Sequence, residues 1–268
     1  MHYHLRAHPM ILFPPVRELR YFWEADQFPN RGFFTRVTDK DNEYREHYRE
    51  YCRHFVKRYA RNPARLITRA KRLAWDCRYL FGAHDDAWYL ACFDREQGKI
   101  CGEISPQYFF LPDEQVRHMH ELLPGLRIII SLREPIDWFW SRFRMHTRGG
   151  RGREDDEVFV SFLTAHLAWC SFSQSLRRWK KYFSEDQLLV LFYDELCSSP
   201  WQFYCKICHF LEIEPDPKRR SELVRRVNKG DERKLPEEFR IKIAKAWKDD
   251  IEDLATLLPG LPACWKDV

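Results

Sequence analysis

The residues best suited to do chemistry follow a strongly apolar segment in the middle of the chain. Leu126–Leu132 is rich in β-branched residues and lies between a Pro-Gly pair and Pro135, which predicts a buried parallel strand. Arg133 follows this strand directly, and Ser141 lies about two helical turns later. Ligands of open α/β sheets bind beyond the carboxyl ends of the strands, and a guanidinium can donate two hydrogen bonds to a phosphate. The pattern therefore indicates an anion site, although an arginine here is more commonly a salt-bridge partner or a helix cap.

Strands and helices alternate along the chain around this segment. A second apolar run, Gln187–Tyr193, follows a helical pattern from Phe172 to Phe183 and precedes a predicted helix from Pro200 to Leu211. Apolar strands that alternate with helices are typical of an α/β fold with a parallel sheet covered on both faces. We therefore predict a three-layer α/β fold with a central parallel sheet, formed by one domain over residues 1–268.

The composition excludes several classes of protein. The 268 residues are 44% apolar and 32% charged, which is typical of a globular protein and not of a disordered one. The net charge of +5 is too modest to indicate nucleic-acid binding by itself. There is no run of about eighteen apolar residues and no apolar signal core at the start of the chain. Nine scattered cysteines favour reduced thiols, so we expect a cytoplasmic location.

One segment, residues 45–81, is strongly basic. It contains eleven Lys/Arg and three Asp/Glu, and a basic residue recurs at every fourth position from Arg45 to Arg69. On a helix this spacing keeps the cations on one face, and Pro63 is expected to divide the segment into two helices. The face is either a solvated surface or a site for an acidic or sugar-like polymer or an anionic membrane.

Several short motifs, taken in order, resemble the sulfotransferase family that uses 3′-phosphoadenosine-5′-phosphosulfate (PAPS). The family patterns are Leu-x-x-His-Pro, Lys-Glu-x-x-Phe-Phe, Glu-Lys-Ser-Pro-x-Tyr, Arg-x-Pro-x-x-Arg-x-x-Ser and Tyr-Glu-Asp-Leu. The matching segments here are Leu5–Pro9, Pro14–Phe22, Gly102–Tyr108, Arg133–Ser141 and Leu191–Leu196, with a late Val227–Gly230 and a closing Trp265. The resemblance spans nearly the whole chain and implies a P-loop-NTPase-like sulfotransferase fold.

The resemblance also implies roles for individual residues. Arg133 and Ser141 would bind the 3′-phosphate of the donor, and Glu18 would be the general base that takes the proton from the acceptor. A carboxylate suits this role, because transfer to a neutral hydroxyl requires proton removal as the new bond forms. Arg17 replaces the usual lysine, and with Arg20 it is expected to bind the acceptor or to orient Glu18.

The roles assigned to Glu18 and to the late loop depend wholly on the resemblance. Without it, Glu18 is simply an exposed acid between Arg17 and Arg20. The late loop that closes over the nucleotide in the family corresponds to Asn228, Lys229 and Gly230.

The chain departs from the family pattern at three places. Ile104 stands where many relatives have lysine, and Trp138 stands where the second arginine is usual, so that packing would replace a polar contact. The Lys-x-Gly-Thr-Thr loop that cradles the 5′-phosphosulfate would lie at or before Met1. We therefore expect Met1 to be an internal methionine of a longer reading frame, with the first strand and its loop encoded upstream.

No metal is predicted. Cys205 and Cys208 have the spacing of a redox or metal pair but lie within an apolar predicted helix, which favours structural cysteines. The family loop supplies a lysine for charge stabilisation, so magnesium is not implied either.

The leading hypothesis is a PAPS-dependent sulfotransferase that acts on the hydroxyl, or less readily the amine, of a small-molecule or carbohydrate acceptor. Acceptor specificity would lie in the basic helical insertion 45–81, which is expected to face the substrate, and in a basic loop from Arg142 to Arg153. Peripheral membrane contact is allowed, and no nucleic-acid partner is expected. Two alternatives remain: a truncated, inactive sulfotransferase-like binding protein, and a basic module that binds anionic lipid or nucleic acid.

Overall fold

The computed structural model describes residues 1–23, 32–40, 45–60, 69–93, 97–147, 156–223 and 234–265. The chain divides into an N-terminal unit, His2–Tyr108, and a C-terminal unit, Phe109–Val268. The assignment of residues 1–268 to one sulfotransferase domain stays a prediction.

The N-terminal unit is mainly helical around one short pair of parallel strands. The strands β1 (Ile11–Leu12) and β2 (Ile100–Cys101) pair with Ile11 opposite Ile100. The helices are α1 (His2–Arg6), α2 (Phe33–Thr38), α3 (Arg45–Ala60), α4 (Ala70–Phe81) and α5 (Asp86–Ala91), and a 3₁₀ helix spans Pro106–Phe110.

The C-terminal unit contains a longer pair of parallel strands. The strands β3 (Ile128–Leu132) and β4 (Leu188–Phe192) pair along their whole length, from Ile128 opposite Leu188 to Leu132 opposite Phe192. The helices are α6 (Asp113–Leu122), α7 (Pro135–Thr147), α8 (Asp156–Leu167), α9 (Phe172–Tyr182), α10 (Tyr193–Ser198), α11 (Pro200–Phe210), α12 (Arg219–Glu222) and α13 (Glu237–Leu257), with 3₁₀ helices at Glu185–Gln187 and Ala263–Trp265.

The elements predicted from apolar runs and caps are confirmed. The strand predicted at Leu126–Leu132 is β3, and the helices predicted at Phe172–Phe183 and Pro200–Leu211 are α9 and α11. α11 starts at Pro200, whose fixed φ suits the first turn of a helix. Parallel strands that alternate with helices confirm the α/β class.

An aromatic core joins three helices of the C-terminal unit. Phe159 of α8 stacks on Phe239 of α13 with ring centroids 3.8 Å apart, and both rings contact Phe143 of α7. The Trp247 indole of α13 packs against Phe139 and donates a hydrogen bond to the Cys170 carbonyl at 3.1 Å. These contacts fix α7, the helix that carries Ser141, against the body of the unit.

The two described helices of the basic segment are held together by a buried carboxylate. Asp76 of α4 is fully buried and accepts hydrogen bonds from the hydroxyls of Tyr51 (2.7 Å) and Tyr59 (2.9 Å) of α3. The guanidinium groups of Arg58 (2.6 Å) and Arg72 (2.8 Å) complete the cluster. Part of the basic residue content therefore serves packing within the unit, while Pro63 lies outside the described residues.

We predict that Asp76→Ala destabilises the protein strongly. Removing one partner of a buried ion cluster leaves the others without compensation, at a cost of about 3 kcal/mol or more. Urea unfolding measures the loss, with Glu46→Ala as the control. Glu46 forms only exposed ion pairs on α3, so the control should lose less than about 1 kcal/mol. Equal effects of the two substitutions would contradict the structural role of Asp76.

A second prediction concerns His166, which is buried among aromatic rings at the end of α8. Its ring lies 4.0 Å from that of Phe162, and its Nδ1 donates to the Phe162 carbonyl at 2.8 Å. Desolvation by burial lowers the pKa of His166 to about 4, and the Arg142 charge adds to this effect. The unfolded chain therefore binds a proton at higher pH than the folded chain does.

Stability should consequently fall as the pH drops from about 6.5 to about 4, by up to about 3 kcal/mol from His166 alone. Urea unfolding at several pH values should show a shallower loss in His166→Gln than in the unsubstituted protein. His209→Gln on the exposed face of α11 is the control for the substitution itself. An identical pH dependence in His166→Gln and the unsubstituted protein would exclude His166 as its source.

Candidate functional site

Arg133 lies at the carboxyl end of β3, as predicted. Because Leu132 pairs with Phe192, the residues that follow the two strands, Arg133 and Tyr193, are neighbours. The guanidinium carbon of Arg133 lies 5.3 Å from the centroid of the Tyr193 ring, a cation–π contact. The parallel register therefore fixes where the arginine lies at this edge of the sheet.

The guanidinium of Arg133 is only partly used by the protein. Its Nη2 lies 3.4 Å from Asp137 Oδ2, a long contact, and its buried Nε has no hydrogen-bond partner among the described residues. The side chain is 30% exposed. A half-buried cation with an unpaired donor is well suited to bind an anion.

The N-terminus of α7 already carries an anionic group from the protein. The Glu134 carboxylate accepts hydrogen bonds from the backbone N–H groups of Ile136 (3.1 Å) and Asp137 (2.6 Å). Burial raises the pKa of Glu134. An anion bound beyond β3 would therefore depend on side chains, because Glu134 occupies the first amides of the helix.

Ser141 lies on the same row of side chains as the residues beyond β3. Arg133, Asp137 and Ser141 are spaced by four residues, and on α7 Asp137 and Ser141 are one turn apart on one face. Ser141 is half-buried. The structure thus places the two predicted phosphate ligands at the start and on the second turn of one helix.

Trp138, which replaces the family's second arginine, is a packing residue. Its ring lies 5.4 Å from those of Phe110 and Phe172. The Arg142 guanidinium stacks on the Trp138 ring at 5.4 Å, one helical turn further along α7. The prediction that Arg142 begins a basic loop was wrong, because the apolar face of α7 extends the helix through Arg142 and Arg144 to Thr147. The loop's remaining arginines lie outside the described residues.

The end of β4 is closed by the late tryptophan of the resemblance. Trp265 is fully buried and its Nε1 donates to Asp194 Oδ2 at 3.2 Å. Its ring packs edge-on against Phe192, with centroids 5.4 Å apart. Trp265 therefore holds the strand end beside Arg133 in place.

In the N-terminal unit Glu18 forms an ion pair with Arg20. Its Oε2 accepts from Arg20 Nε at 3.2 Å and from Nη2 at 3.0 Å, and the Glu18 side chain is 17% exposed. Arg20 adopts φ = 60°, a left-handed conformation that is uncommon outside glycine. Arg17 is exposed. Glu18 is therefore half-buried and paired, rather than a fully exposed acid between Arg17 and Arg20.

Glu103 holds the backbone next to Glu18, a role that the sequence analysis missed. Its carboxylate accepts from the Leu19 N–H at 3.0 Å, from the Ser105 hydroxyl at 2.7 Å and from the Tyr89 hydroxyl at 2.8 Å. Burial raises the pKa of Glu103. Glu103 lies in the Glu-x-Ser-Pro motif, but its contact with Leu19, 84 residues away, does not follow from the local sequence.

His47 of α3 is a further residue of this group. Burial lowers the pKa of His47, and the Arg20 charge lowers it further, whereas Glu18 acts in the opposite direction. Its Nε2 is buried without a hydrogen-bond partner among the described residues. The basic segment therefore contributes an imidazole within electrostatic reach of Glu18 and Arg20.

The remaining predicted site residues add no further side chain to the described site. Asn228, Lys229 and Gly230 lie outside the described residues. The described part of the chain contains no cluster of three or more His, Cys, Asp or Glu side chains that could hold a metal, and none of its helices is long and apolar enough to cross a membrane. Cys208 is buried on α11, and burial raises the pKa of its thiol to about 11, as expected for a structural cysteine.

Comparison with known proteins connects this geometry to a family. The chain is similar to a sulfotransferase from Alicyclobacillus acidocaldarius, with 19% identity, a TM-score of 0.67, and coverage of 98% of this chain and 91% of that one. It is also similar to the sulfotransferase domain from the curacin biosynthetic pathway, with 15% identity, a TM-score of 0.49, and coverage of 97% and 92%. No curated protein matches the chain.

The first of these similarities shows that the fold is that of a sulfotransferase. A family model described as the sulfotransferase domain matches residues 115–266, more than half of the chain, including β3, α7 and β4. The chain therefore belongs to the sulfotransferase domain family.

Proposed function

We propose that this protein transfers the sulfuryl group of PAPS to a hydroxyl, or less readily an amine, of a small-molecule or carbohydrate acceptor. Membership of the family supports sulfuryl transfer, the transferase class of enzyme and a small-molecule acceptor. The acceptor oxygen would attack the sulfur of the donor, so that a new O–S bond forms as the bond between sulfur and the 5′-phosphate oxygen breaks and adenosine 3′,5′-bisphosphate leaves. PAPS as the donor and a carbohydrate as the acceptor are parts of the proposal that go beyond family membership.

The partly paired Arg133 guanidinium is the observation that carries the proposal. It lies beyond the carboxyl end of a parallel strand, where α/β folds bind nucleotides, and its Nε has no partner among the described residues. We assign the 3′-phosphate of the donor to Arg133 and to the Ser141 hydroxyl, and the late loop at Asn228, Lys229 and Gly230 to closure over the nucleotide. The phosphate would outcompete the long Asp137 contact, since bidentate arginine–phosphate bonds are among the strongest in proteins.

Glu18 is the proposed general base. Both contacts from Arg20 go to Oε2, and Oε1 receives no hydrogen bond from a described residue, so this oxygen can accept the acceptor's proton. Arg20 keeps the carboxylate in one orientation, and Glu103 holds the backbone at Leu19. Removal of the proton as the acceptor oxygen attacks increases the nucleophilicity of that oxygen. It also avoids a positive charge on the oxygen once the new bond has formed.

The acceptor is expected to be polar or anionic. Arg17 is exposed beside Glu18, and Arg20 and His47 lie in the same unit within electrostatic reach of it. Exposed guanidinium groups can bind hydroxyl, carboxylate or sulfate groups of a carbohydrate. This arrangement supports the proposal that the basic segment faces the substrate, and the cysteine usage supports a cytoplasmic location.

The donor-binding role of Arg133 predicts that Arg133→Ala weakens binding of adenosine 3′,5′-bisphosphate by about 10- to 100-fold, because charge-assisted hydrogen bonds to the phosphate are lost. Isothermal titration calorimetry measures the dissociation constant. Arg127→Ala is a matched control, since Arg127 precedes the same strand at its opposite end and is exposed to a similar degree. An unchanged dissociation constant for Arg133→Ala would refute the assignment.

The base role predicts that Glu18→Gln lowers transfer of labelled sulfate from PAPS to a panel of hydroxyl and amine acceptors by about 100-fold or more. The dissociation constant for adenosine 3′,5′-bisphosphate should stay the same, because Glu18 does not contact the donor phosphate in this proposal. Glu50→Gln, an exposed acid of α3, is the control and should keep full activity. Full activity of Glu18→Gln on every acceptor used by the unsubstituted protein would exclude it as the base.

A further inference from the structure

Four phenylalanine rings, two exposed and two half-buried, form an aromatic patch at the surface of the N-terminal unit. Phe33 and Phe34 begin α2, Phe55 lies on α3, and Phe81 ends α4. The Phe33 ring lies 5.4 Å from Phe34 and 4.8 Å from Phe81, and Phe55 lies 6.4 Å from Phe81. Phe34 is 77% exposed and Phe81 is 55% exposed. The four rings thus form one connected patch rather than scattered surface residues.

The core of the unit does not need these rings. The inner faces of α3 and α4 already pack through Tyr48, Tyr51 and Tyr79, and Trp75 stacks on Tyr79 at 5.2 Å. Val56, which follows Phe55, is also 58% exposed and extends the apolar surface along α3. Large apolar side chains grouped in this way on a surface mark an interaction site.

The same three helices carry a strong positive charge. α2, α3 and α4 contain nine Lys/Arg and three Asp/Glu. Arg36 is buried and donates to backbone carbonyls at the end of α4, while Arg58 and Arg72 pair with Asp76. The other six basic side chains are at least partly exposed: Arg45, Arg49, Arg53, Lys57, Lys71 and Arg78.

Exposed cations lie directly beside the patch. On α3, Arg53 is three residues before Val56 and borders it, and Lys57, four residues after Arg53, lies on the same face as Arg53. On α4, Arg78 is one turn before Phe81, and its guanidinium also donates to the Ala91 carbonyl. Lys57 forms no ion pair with a described residue, and Arg53 has only a 3.5 Å contact with the exposed Glu46. The apolar and cationic surfaces are therefore continuous.

We propose that this surface, the aromatic patch with Arg53, Lys57 and Arg78, binds the surface of an anionic lipid bilayer. Phenylalanine rings enter the boundary between headgroups and acyl chains, and lysine and arginine bind the anionic headgroups beside them. A second copy of the chain fits less well, because two such surfaces would bring like charges together. Nucleic acid would pair with the cations but would leave the phenylalanine side chains, which have no polar group, without an apolar environment.

Co-sedimentation of the full chain with vesicles tests the proposal. The protein should bind vesicles of phosphatidylcholine mixed with phosphatidylglycerol, bind phosphatidylcholine alone much less, and dissociate as salt is raised. The double variant Phe34→Ser with Phe81→Ser should bind the mixed vesicles at least about ten-fold less tightly, because less apolar area is buried on binding. Ile241→Ser, at an exposed apolar residue of α13, is the matched control and should bind normally.

A second pair of variants separates the charge from the rings. Arg53→Gln with Lys57→Gln should weaken binding about 25-fold, roughly five-fold for each cation, and should reduce its salt dependence. Lys245→Gln with Lys248→Gln removes two exposed cations from α13 and is the control for net charge. If both pairs weaken binding equally, the attraction is a general charge effect and the proposed surface is wrong.

Two further outcomes would overturn the proposal. One is failure of the unsubstituted protein to bind anionic vesicles at low salt. The other is a dimer in analytical ultracentrifugation that becomes monomeric in the double phenylalanine variant, which would assign the patch to a second copy. Circular dichroism of each variant establishes that it is folded. None of these measurements uses sulfuryl transfer, so their outcome is independent of the proposed function.

Discussion

The candidate donor site depends on the parallel register of two strands. Leu132 lies opposite Phe192, so β3 and β4 end at the same level and the residues after them share one edge. Arg133 follows one strand, and Tyr193, which contacts it, follows the other. A shift of the register by one residue would turn alternate side chains to the other face and separate this pair. The apolar side chains of the strands, which fix the register, thus decide where the cation lies.

Two buried carboxylates have a comparable role in the N-terminal unit. Asp76 joins α3 to α4 through two hydroxyls and two guanidinium groups, and Glu103 ties the Leu19 backbone to Ser105 and Tyr89. Each carboxylate is desolvated, and each is compensated by several donors, which is the condition for keeping such a group inside a protein. The two helices of the basic segment are consequently joined by an acid of the segment itself, and the Glu18 segment is held by an acid that lies 84 residues from Leu19 in sequence.

The difference between local patterns and contacts that are distant in sequence explains which parts of the structure could be predicted. Strand β3 and helices α9 and α11 follow from local patterns of apolar residues, Pro and Gly, and Arg133 follows from its place after a strand. Arg20, the partner of Glu18, adopts an unusual backbone conformation that local sequence patterns do not predict, and the Glu103 contacts cross 84 residues to Leu19. The helix through Arg142 was missed because glycines just after it suggested a loop, whereas packing of Phe139 and Phe143 extends the helix.

In the folded protein, the cations of the basic segment do not act as one charged surface. Counted along the chain, seven of its eleven cations recur at every fourth position and form one regular stripe, which suggests a single role. In the structure, Arg58 and Arg72, which are not on this stripe, are held by a buried acid, and His47 lies within electrostatic reach of Glu18 and Arg20. On the stripe itself, Arg53 borders the exposed Val56, and Lys57 lies on the same face as Arg53. The basic residues of the segment therefore face different surroundings and serve different purposes. The number of cations therefore overstates the charge available to any one ligand, because each ligand meets only the cations on the face that it contacts.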